Sequence, residues 1–322
     1  MINSGNAPTI AVIIPCYNEA ATVGQVIADF RKELPRASIH VFDNNSTDDT
    51  ATIARAVGAM VSHEYRQGKG HVVRSMFQQI DADIYVLVDG DSTYPAAKVH
   101  ELLNPVLRGR ADMVVGSRLS EESSEMRHVN LFGNRLFLYT VNMIFGSSLT
   151  DILTGYRVMT REFVRAIPVL SPGFQIETEL SIQALHKGMR VQEVPVKLSN
   201  RPHGSKSKIR IVSDGLKIAF TIFDLFRAYK PLTMFGLTGL LLITVGSGIG
   251  FSVIVEFFQT GLVPRLPSAV LAAALWLAGL LSIFVGLILN TLARNFQELT
   301  YQILSADRQL SAIRVGITDK KS

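Results

Sequence analysis

Through the first two-thirds of the chain, short apolar runs alternate with longer segments of helical period, separated by polar turns. The run Thr9–Ile14 ends at Pro15 and predicts a strand buried on both faces. Ala20–Leu34 predicts a helix with Val23, Val26, Ile27 and Phe30 on one side. A second apolar run, Ile39–Phe42, stops at Asp43-Asn44-Asn45-Ser46, and Thr47 or Asp48 is placed to cap a helix that Gly58 closes. Met60–His63 and Val72–Ile80 predict a third strand and a third helix. Ile84–Val88 is a strongly apolar strand ending in Asp89-Gly90-Asp91, and Met113–Val115 is another, ending in Gly116-Ser117-Arg118. This alternation predicts an α/β fold, a mostly parallel sheet with helices on both faces. Open sheets of that kind bind ligands at their strand ends, where the polar clusters fall here.

The last third is patterned differently. Leu232–Val255 runs about 24 residues without a charge, and Ser268–Leu289 is a second block of the same kind. Each is apolar all round and long enough to span a hydrocarbon core. Just before them, Ile211–Tyr229 has an amphipathic helical period, with Val212, Leu216, Ala219, Ile222, Phe223 and Phe226 opposite Ser213, Asp214, Lys217 and Asp224. Such a helix suits the plane of a membrane interface, or packing on a neighbouring domain. The expected organisation is a catalytic domain over 1–209, an amphipathic juxtamembrane helix over 210–230, a two-helix transmembrane hairpin over 231–293 and a C-terminal segment over 294–322.

Charge and composition orient this arrangement. The chain has 322 residues, 48% of them hydrophobic, and a formal charge of +5. Arg227 and Lys230 precede the first span and Arg294 follows the second, against Arg265 alone in the link. The positive-inside rule then puts the catalytic domain and both termini of this integral membrane protein in the cytoplasm. The polar, uncharged N-terminus lacks the pattern of a signal peptide. The single cysteine, Cys16, excludes an internal disulfide framework and any cysteine-rich metal site. The modest charge, gathered beside the apolar blocks, points to a lipid bilayer rather than to nucleic acid. Gly246 and Gly250 have the spacing that lets spanning helices approach closely, in a homo-oligomer or within one chain.

Asp89 and Asp91 bracket a glycine after a buried strand. Two carboxylates so placed suit a hard divalent cation, Mg²⁺ or Mn²⁺, that also takes diphosphate oxygens. With Pro15-Cys16-Tyr17-Asn18-Glu19 after the first strand, Asp43 after the second and Gly116-Ser117-Arg118 later, this ordered set resembles the family-2 glycosyltransferases of GT-A fold. Three further stretches sharpen the resemblance to the dolichyl-phosphate mannose synthase and polyprenyl-phosphate glycosyltransferase branch. They are Asp151-Ile152-Leu153-Thr154-Gly155-Tyr156-Arg157, Phe174-Gln175-Ile176-Glu177-Thr178-Glu179 and the basic stretch from Arg201 to Lys208.

The resemblance implies that Pro15, Tyr17, Asn18 and Glu19 line a nucleoside pocket, that Asp43 bonds the base or ribose, and that Asp89 reaches the nucleotide. Asp43-Asn44-Asn45-Ser46 departs from the family's Asp-Asp-Gly-Ser and leaves uracil and guanine both open. Arg118 and Arg201 are the cations expected on phosphates, since guanidinium binds phosphate oxygens in pairs, with Ser207 and Lys208 beside them. Glu177 is expected to bind or orient a substrate. If its segment is extended, only one of Glu177 and Glu179 faces the site. Asp151 and Arg157 could form an internal ion pair. The implied reaction moves a sugar from a nucleotide donor to polyprenyl or dolichyl phosphate, with inversion at the anomeric carbon.

Overall fold

The computed structural model describes residues 7–118, 138–199 and 211–318. The chain divides into two compact units, Met1–Ile222 and Phe223–Ser322.

In the first unit the strands are β1 (Ile10–Cys16), β2 (Ser38–Asp43), β3 (Met60–His63), β4 (Ile84–Leu87), β5 (Met113–Arg118), β6 (Arg157–Thr160) and β7 (Val191–Val196). They form one seven-stranded sheet in the order β3-β2-β1-β4-β6-β5-β7. All pairs are parallel except those made by β6, which runs antiparallel to β4 and β5. The helices are α1 (Val23–Glu33), α2 (Thr50–Ala56), α3 (Lys69–Gln79), α4 (Val99–Leu107), α5 (residues 138–145), α6 (Arg161–Ala166) and α7 (Ile176–His186); the boundary between the units falls within α8 (Ile211–Tyr229).

The pleat of β1 explains why its sequence is continuously apolar. Val12, Ile14 and Cys16 join one core with Val23, Ile27 and Phe30 of α1 and Val99 and Leu102 of α4. Ala11 and Ile13 join a second core with Val73 and Met76 of α3 and Ile176 and Leu180 of α7. Both faces are thus buried, as a sheet with helices on each side requires.

The strand ends gather the polar clusters in register. Cys16 pairs with Asp43 across β1 and β2, and Leu87 pairs with Arg157 across β4 and β6. The antiparallel β6 therefore brings the loop before Arg157 to the end of β4 that carries Asp89. Some local boundaries differ from the sequence expectation. Helix α3 starts at Lys69 rather than Val72. Neither Thr47 nor Asp48 occupies the N-cap of α2; Asp49 does, without a side-chain bond. Asp48 instead accepts from the Thr50 amide at 3.1 Å and from the Thr50 hydroxyl.

Helix α8 carries two apolar stripes where the sequence suggested one. Ile218, Ile222 and Leu225 are buried, while Leu216, Phe220 and Phe223 are exposed on the opposite side. Leu216 and Phe223 were expected to share a face with Ile222, which the 100° turn per residue does not permit for a narrow stripe.

The second unit contains α9 (Pro231–Thr260) and α10 (Leu266–Thr318). Pro231–Thr260 and Leu266–Phe296 are long and apolar enough to cross a membrane. Gly261 ends α9 in the left-handed conformation at φ 71°. The two helices meet at small residues: a Cβ at Gly246 would lie 3.1 Å from the Ala272 carbonyl, and one at Gly250 3.5 Å from the Ala272 side chain. The close approach that Gly246 and Gly250 permit is thus made within one chain. Trp276 donates to the Ser247 hydroxyl at 2.9 Å across the same contact. Helix α10 continues well past the apolar block, because no proline and no glycine before Gly316 interrupts its second half.

Candidate active site

The turns after β1 and β2 are joined by hydrogen bonds. Asn18, with φ 51°, follows β1; its amide donates to the Ser46 hydroxyl at 2.9 Å and its side-chain oxygen accepts from the Thr47 amide at 2.7 Å. The Glu19 amide donates to the Thr50 hydroxyl at 2.8 Å. These bonds stitch the turn after β1, which includes Tyr17 and follows Pro15 near the end of the strand, to the turn after β2. Asp43 is buried at the end of β2; its Oδ2 accepts from the Ser46 amide at 3.3 Å and lies 3.3 Å from His63 Nδ1. Its other oxygen, Oδ1, is buried without a hydrogen-bond partner.

The two asparagines after Asp43 serve the loop that follows β3. Asn44 Nδ2 donates to the Glu64 and Arg66 carbonyls, both at 2.8 Å, and its Oδ1 accepts from the Gly68 amide at 2.7 Å. Asn45, at φ 60°, donates to the Tyr65 carbonyl at 2.7 Å. Asparagine tolerates that left-handed position where the family pattern has glycine.

The Asp89-Gly90-Asp91 motif lies in a turn just past β4 rather than in the strand itself. Gly90 is required by close packing, since a Cβ there would sit 2.7 Å from Cys16 Sγ. The lone cysteine is thus a packing residue under the motif. Asp91 is buried, and its Oδ1 accepts from the Thr93 amide at 3.1 Å and the Thr93 hydroxyl at 2.6 Å. Thr22 ties the motif to the first turn by donating to the Gly90 carbonyl at 2.7 Å.

Asp89 meets a residue that the sequence reading passed over. Lys69 Nζ pairs with Asp89 Oδ1 and, at 2.5 Å, with Glu177 Oε1. The Lys69 and Glu177 side chains are 9% and 5% exposed and Asp89 is 28% exposed, so this buried cation bridges a buried carboxylate and a partly exposed one. Burial alone would lower the Lys69 pKa; the charges of Asp89 and Glu177 outweigh it and raise the pKa, so the ammonium stays charged. The available signal was a lysine between two glycines, Gly68 and Gly70, directly after a strand and its loop.

Glu177 and Glu179 lie on helix α7, not on an extended segment, so they diverge by about 200° around the helix axis. Glu177 turns to Lys69. Glu179 accepts from the Leu170 amide at 3.0 Å, the Ser171 amide at 2.7 Å and Gln183 at 2.8 Å, which fixes the loop before α7.

The expected Asp151–Arg157 pair is replaced by two other arrangements. Asp151 accepts from Arg118 Nε at 2.6 Å and Arg118 Nη2 at 2.9 Å, a two-pronged ion pair. Arg157 is fully buried and donates to the Thr154, Ile152 and Glu177 carbonyls at 3.1, 3.3 and 2.7 Å and to the Ser181 hydroxyl at 3.0 Å. Its start-of-strand position turns the guanidinium into the core, where carbonyls rather than carboxylates await it. Tyr94, also unforeseen, accepts from the Thr154 hydroxyl and the Gly155 amide, both at 3.0 Å. Burial and the Asp89 charge push its phenol up to about 12. Arg201, Ser207 and Lys208 lie outside the described residues.

Asp89 and Asp91 offer hard oxygen donors, the right chemistry for Mg²⁺ or Mn²⁺. Among the described residues no group of three or more His, Cys, Asp or Glu could hold a metal ion. Two carboxylates fit a cation whose remaining ligands come from water and a bound diphosphate, as Mg²⁺ sites commonly use.

Comparison with known proteins places the fold and the family. The pattern of "Glycosyl transferase family 2" matches residues 11–167. Glycosyltransferase AglJ of Haloferax volcanii is 34% identical over 250 residues, which cover 77% of this chain and 82% of that protein. The dolichyl-phosphate hexose transferase of the same organism is 29% identical over 197 residues, 61% of this chain and 86% of that protein. A crystal structure of glucosyl-3-phosphoglycerate synthase from Mycobacterium tuberculosis, in complex with Mn²⁺, uridine diphosphate and glucosyl-3-phosphoglycerate, aligns with TM-score 0.57 at 23% identity, covering 69% of this chain and 80% of that one. The mostly parallel sheet is thus of the GT-A type.

Proposed function

The chain belongs to glycosyl transferase family 2, and on that premise we propose that it transfers a sugar from a nucleoside diphosphate donor to a polyprenyl or dolichyl phosphate. The reaction takes place at the cytoplasmic face of a membrane, with inversion at the anomeric carbon and with Mg²⁺ or Mn²⁺ bound. The observation that carries the reading is the end of β4, where Asp89 of the Asp89-Gly90-Asp91 motif pairs with the cation Lys69, two strands along the sheet from Asp43 at the end of β2. The name of the dolichyl-phosphate hexose transferase supports the lipid acceptor, and two helices able to span a bilayer suit such a substrate.

Each residue then has a defined task. Asp43 Oδ1, buried and unpartnered, accepts a hydrogen bond from the base or ribose. Pro15, Tyr17, Asn18 and Glu19 line the same pocket. Asp89 and Asp91 would hold the divalent cation, which when bound would supply positive charge to the diphosphate leaving group. Arg118, oriented by Asp151, and Arg201, Ser207 and Lys208 bind acceptor phosphate. No general base is required, because a phosphate monoester is already an anionic nucleophile near neutral pH. Catalysis is positional and electrostatic. The bond from the anomeric carbon to the diphosphate oxygen breaks as the acceptor oxygen bonds to the opposite face. In this scheme Glu177 orients the site through Lys69 instead of taking a proton.

Membranes carrying the chain, incubated with labelled uridine and guanosine diphosphate sugars, should yield label in a chloroform-extractable lipid. Asp91→Asn should lower that transfer by about 10²-fold or more without changing the yield of folded protein. Water-soluble polymer as the product, or near-normal transfer by Asp91→Asn, would refute the assignment.

A further inference from the structure

The Lys69 bridge has no role in the reaction scheme as an acid, base or nucleophile, yet it is among the most constrained side chains of the crevice. Its backbone is held from two sides. Asn44 fixes the preceding loop through the Gly68 amide at 2.7 Å, and the Gly70 amide donates to the Pro172 carbonyl at 3.0 Å. Gly68 and Gly70 pack so closely on the Pro172 and Ser171 carbonyls that a Cβ at either would overlap them. The glycines flanking Lys69 thus exist for close backbone approach. The result is a lysine whose root is clamped and whose ammonium ends between two carboxylates.

Asp89 is held as tightly. A terminal carboxylate rotates over a broad range when left to itself. Here one oxygen is taken by Lys69, and the Gly155 backbone lies against the same carboxylate, so close that a Cβ at Gly155 would be 2.9 Å from Asp89 Cγ. Lys69 neutralises one of the two carboxylates it touches and, counting Asp91, leaves the corner net negative. A divalent cation therefore still gains by entering.

We propose that Lys69 is a positioning residue, anchored by Glu177, which fixes the Asp89 carboxylate in the orientation that receives the metal–diphosphate of the donor. The inference rests on the glycosyl-transfer reading. It assigns Glu177 to Lys69 and Lys69 to Asp89, a chain of two contacts that ends on the ligand.

The test uses the full chain in detergent and reads thermal unfolding with and without Mn²⁺ plus uridine or guanosine diphosphate. If neither nucleotide raises the unfolding temperature of the unsubstituted chain, the glycosyl-transfer reading fails, and the positioning role falls with it. Given a shift, Lys69→Met leaves the buried Glu177 carboxylate without its cation, beside the partly exposed Asp89, and should lower the unfolding temperature as well as weaken Mn²⁺–nucleotide affinity. Lys69→Met/Glu177→Met removes the stranded charge, so it should regain most of the lost unfolding temperature. It should still bind Mn²⁺–nucleotide about tenfold or more weakly, since misplaced groups cost that much. Affinity within about twofold of the unsubstituted chain would mean that Lys69 only neutralises Glu177, and would overturn the proposal. Should the double variant not fold, Lys69→Arg decides the matter, because it keeps the charge and loses the point-like ammonium. Weakened affinity at an unchanged unfolding temperature supports positioning, and unchanged affinity refutes it.

Discussion

Arg157→Met tests how the loop from Ile152 to Gly155 is built, and the structure gives the size of the effect. The guanidinium has no carboxylate partner in contact and donates to four oxygens while fully buried. Two of those acceptors survive its loss, since the Ser181 hydroxyl donates to the Glu177 carbonyl at 3.0 Å. The Thr154 and Ile152 carbonyls lose their guanidinium bonds. An orphaned buried acceptor costs about 1–3 kcal/mol, so the pair costs about 2–6 kcal/mol. Methionine fills most of the volume and removes a charge whose burial is itself unfavourable, which takes the estimate to about 3 kcal/mol. For a unit of this size that is a fall in Tm of about 6–12 °C. Differential scanning fluorimetry of the full chain in detergent measures it, with intrinsic tryptophan avoided because Trp276 lies in α10. Transfer activity should also drop well below the unfolding temperature, because Thr154 and Gly155 bond to Tyr94 and bear on Asp89. A fall in Tm of less than about 2 °C would refute the claim that Arg157 is the organiser of this loop.

Two further outcomes follow from the same contacts. Gly155→Ala places a methyl group against a carboxylate that Lys69 does not release, so Mn²⁺–nucleotide binding should weaken by about tenfold or more with a loss of stability of only about 1–3 kcal/mol. Unchanged binding would show that Asp89 moves aside freely. Asp151→Asn reports on the ion pair with Arg118 through pH. Burial alone would raise the Asp151 pKa; the Arg118 hydrogen bonds and charge, with the Leu153 and Arg118 amides, outweigh it and hold the pKa below the usual carboxylate range. A depressed folded pKa adds stability above the unfolded value of about 3.9 and loses it as pH falls through the folded value. The stability gap between the unsubstituted chain and Asp151→Asn should therefore be full at about pH 6 to 7 and narrow progressively as pH falls below about 4 towards the depressed folded pKa. A gap that does not change with pH would mean that the pair contributes nothing.

How much of this site could be read from the sequence depended on the range of the interaction involved. Strand ends were legible because an apolar run followed by a polar turn is a local pattern, and it located Asp43, Asp89 and Arg118 at the ends of buried strands. The two long apolar helices were legible for the same reason, since uninterrupted apolar length is local too. Partners across the sheet were not. Whether Arg118 or Arg157 takes Asp151 depends on β6 running antiparallel between β4 and β5, a register that no spacing encodes. The facing of Glu177 turned on a helix where an extended segment had been considered, and the helical turn alone sends Glu177 and Glu179 to different tasks. Lys69 was hidden for a further reason. Its glycine neighbours look like an ordinary loop until the Ser171 and Pro172 carbonyls, a hundred residues on, are seen against them. The departure at Asn44 and Asn45 had looked like a loss of a carboxylate and a glycine from the nucleoside pocket. In the fold both side chains turn towards the loop that carries Lys69. The turn proposed to receive the nucleoside and the loop that carries Lys69 are thus parts of one hydrogen-bonded frame. Replacing Asn44 should disturb the metal side of the crevice as much as the base side.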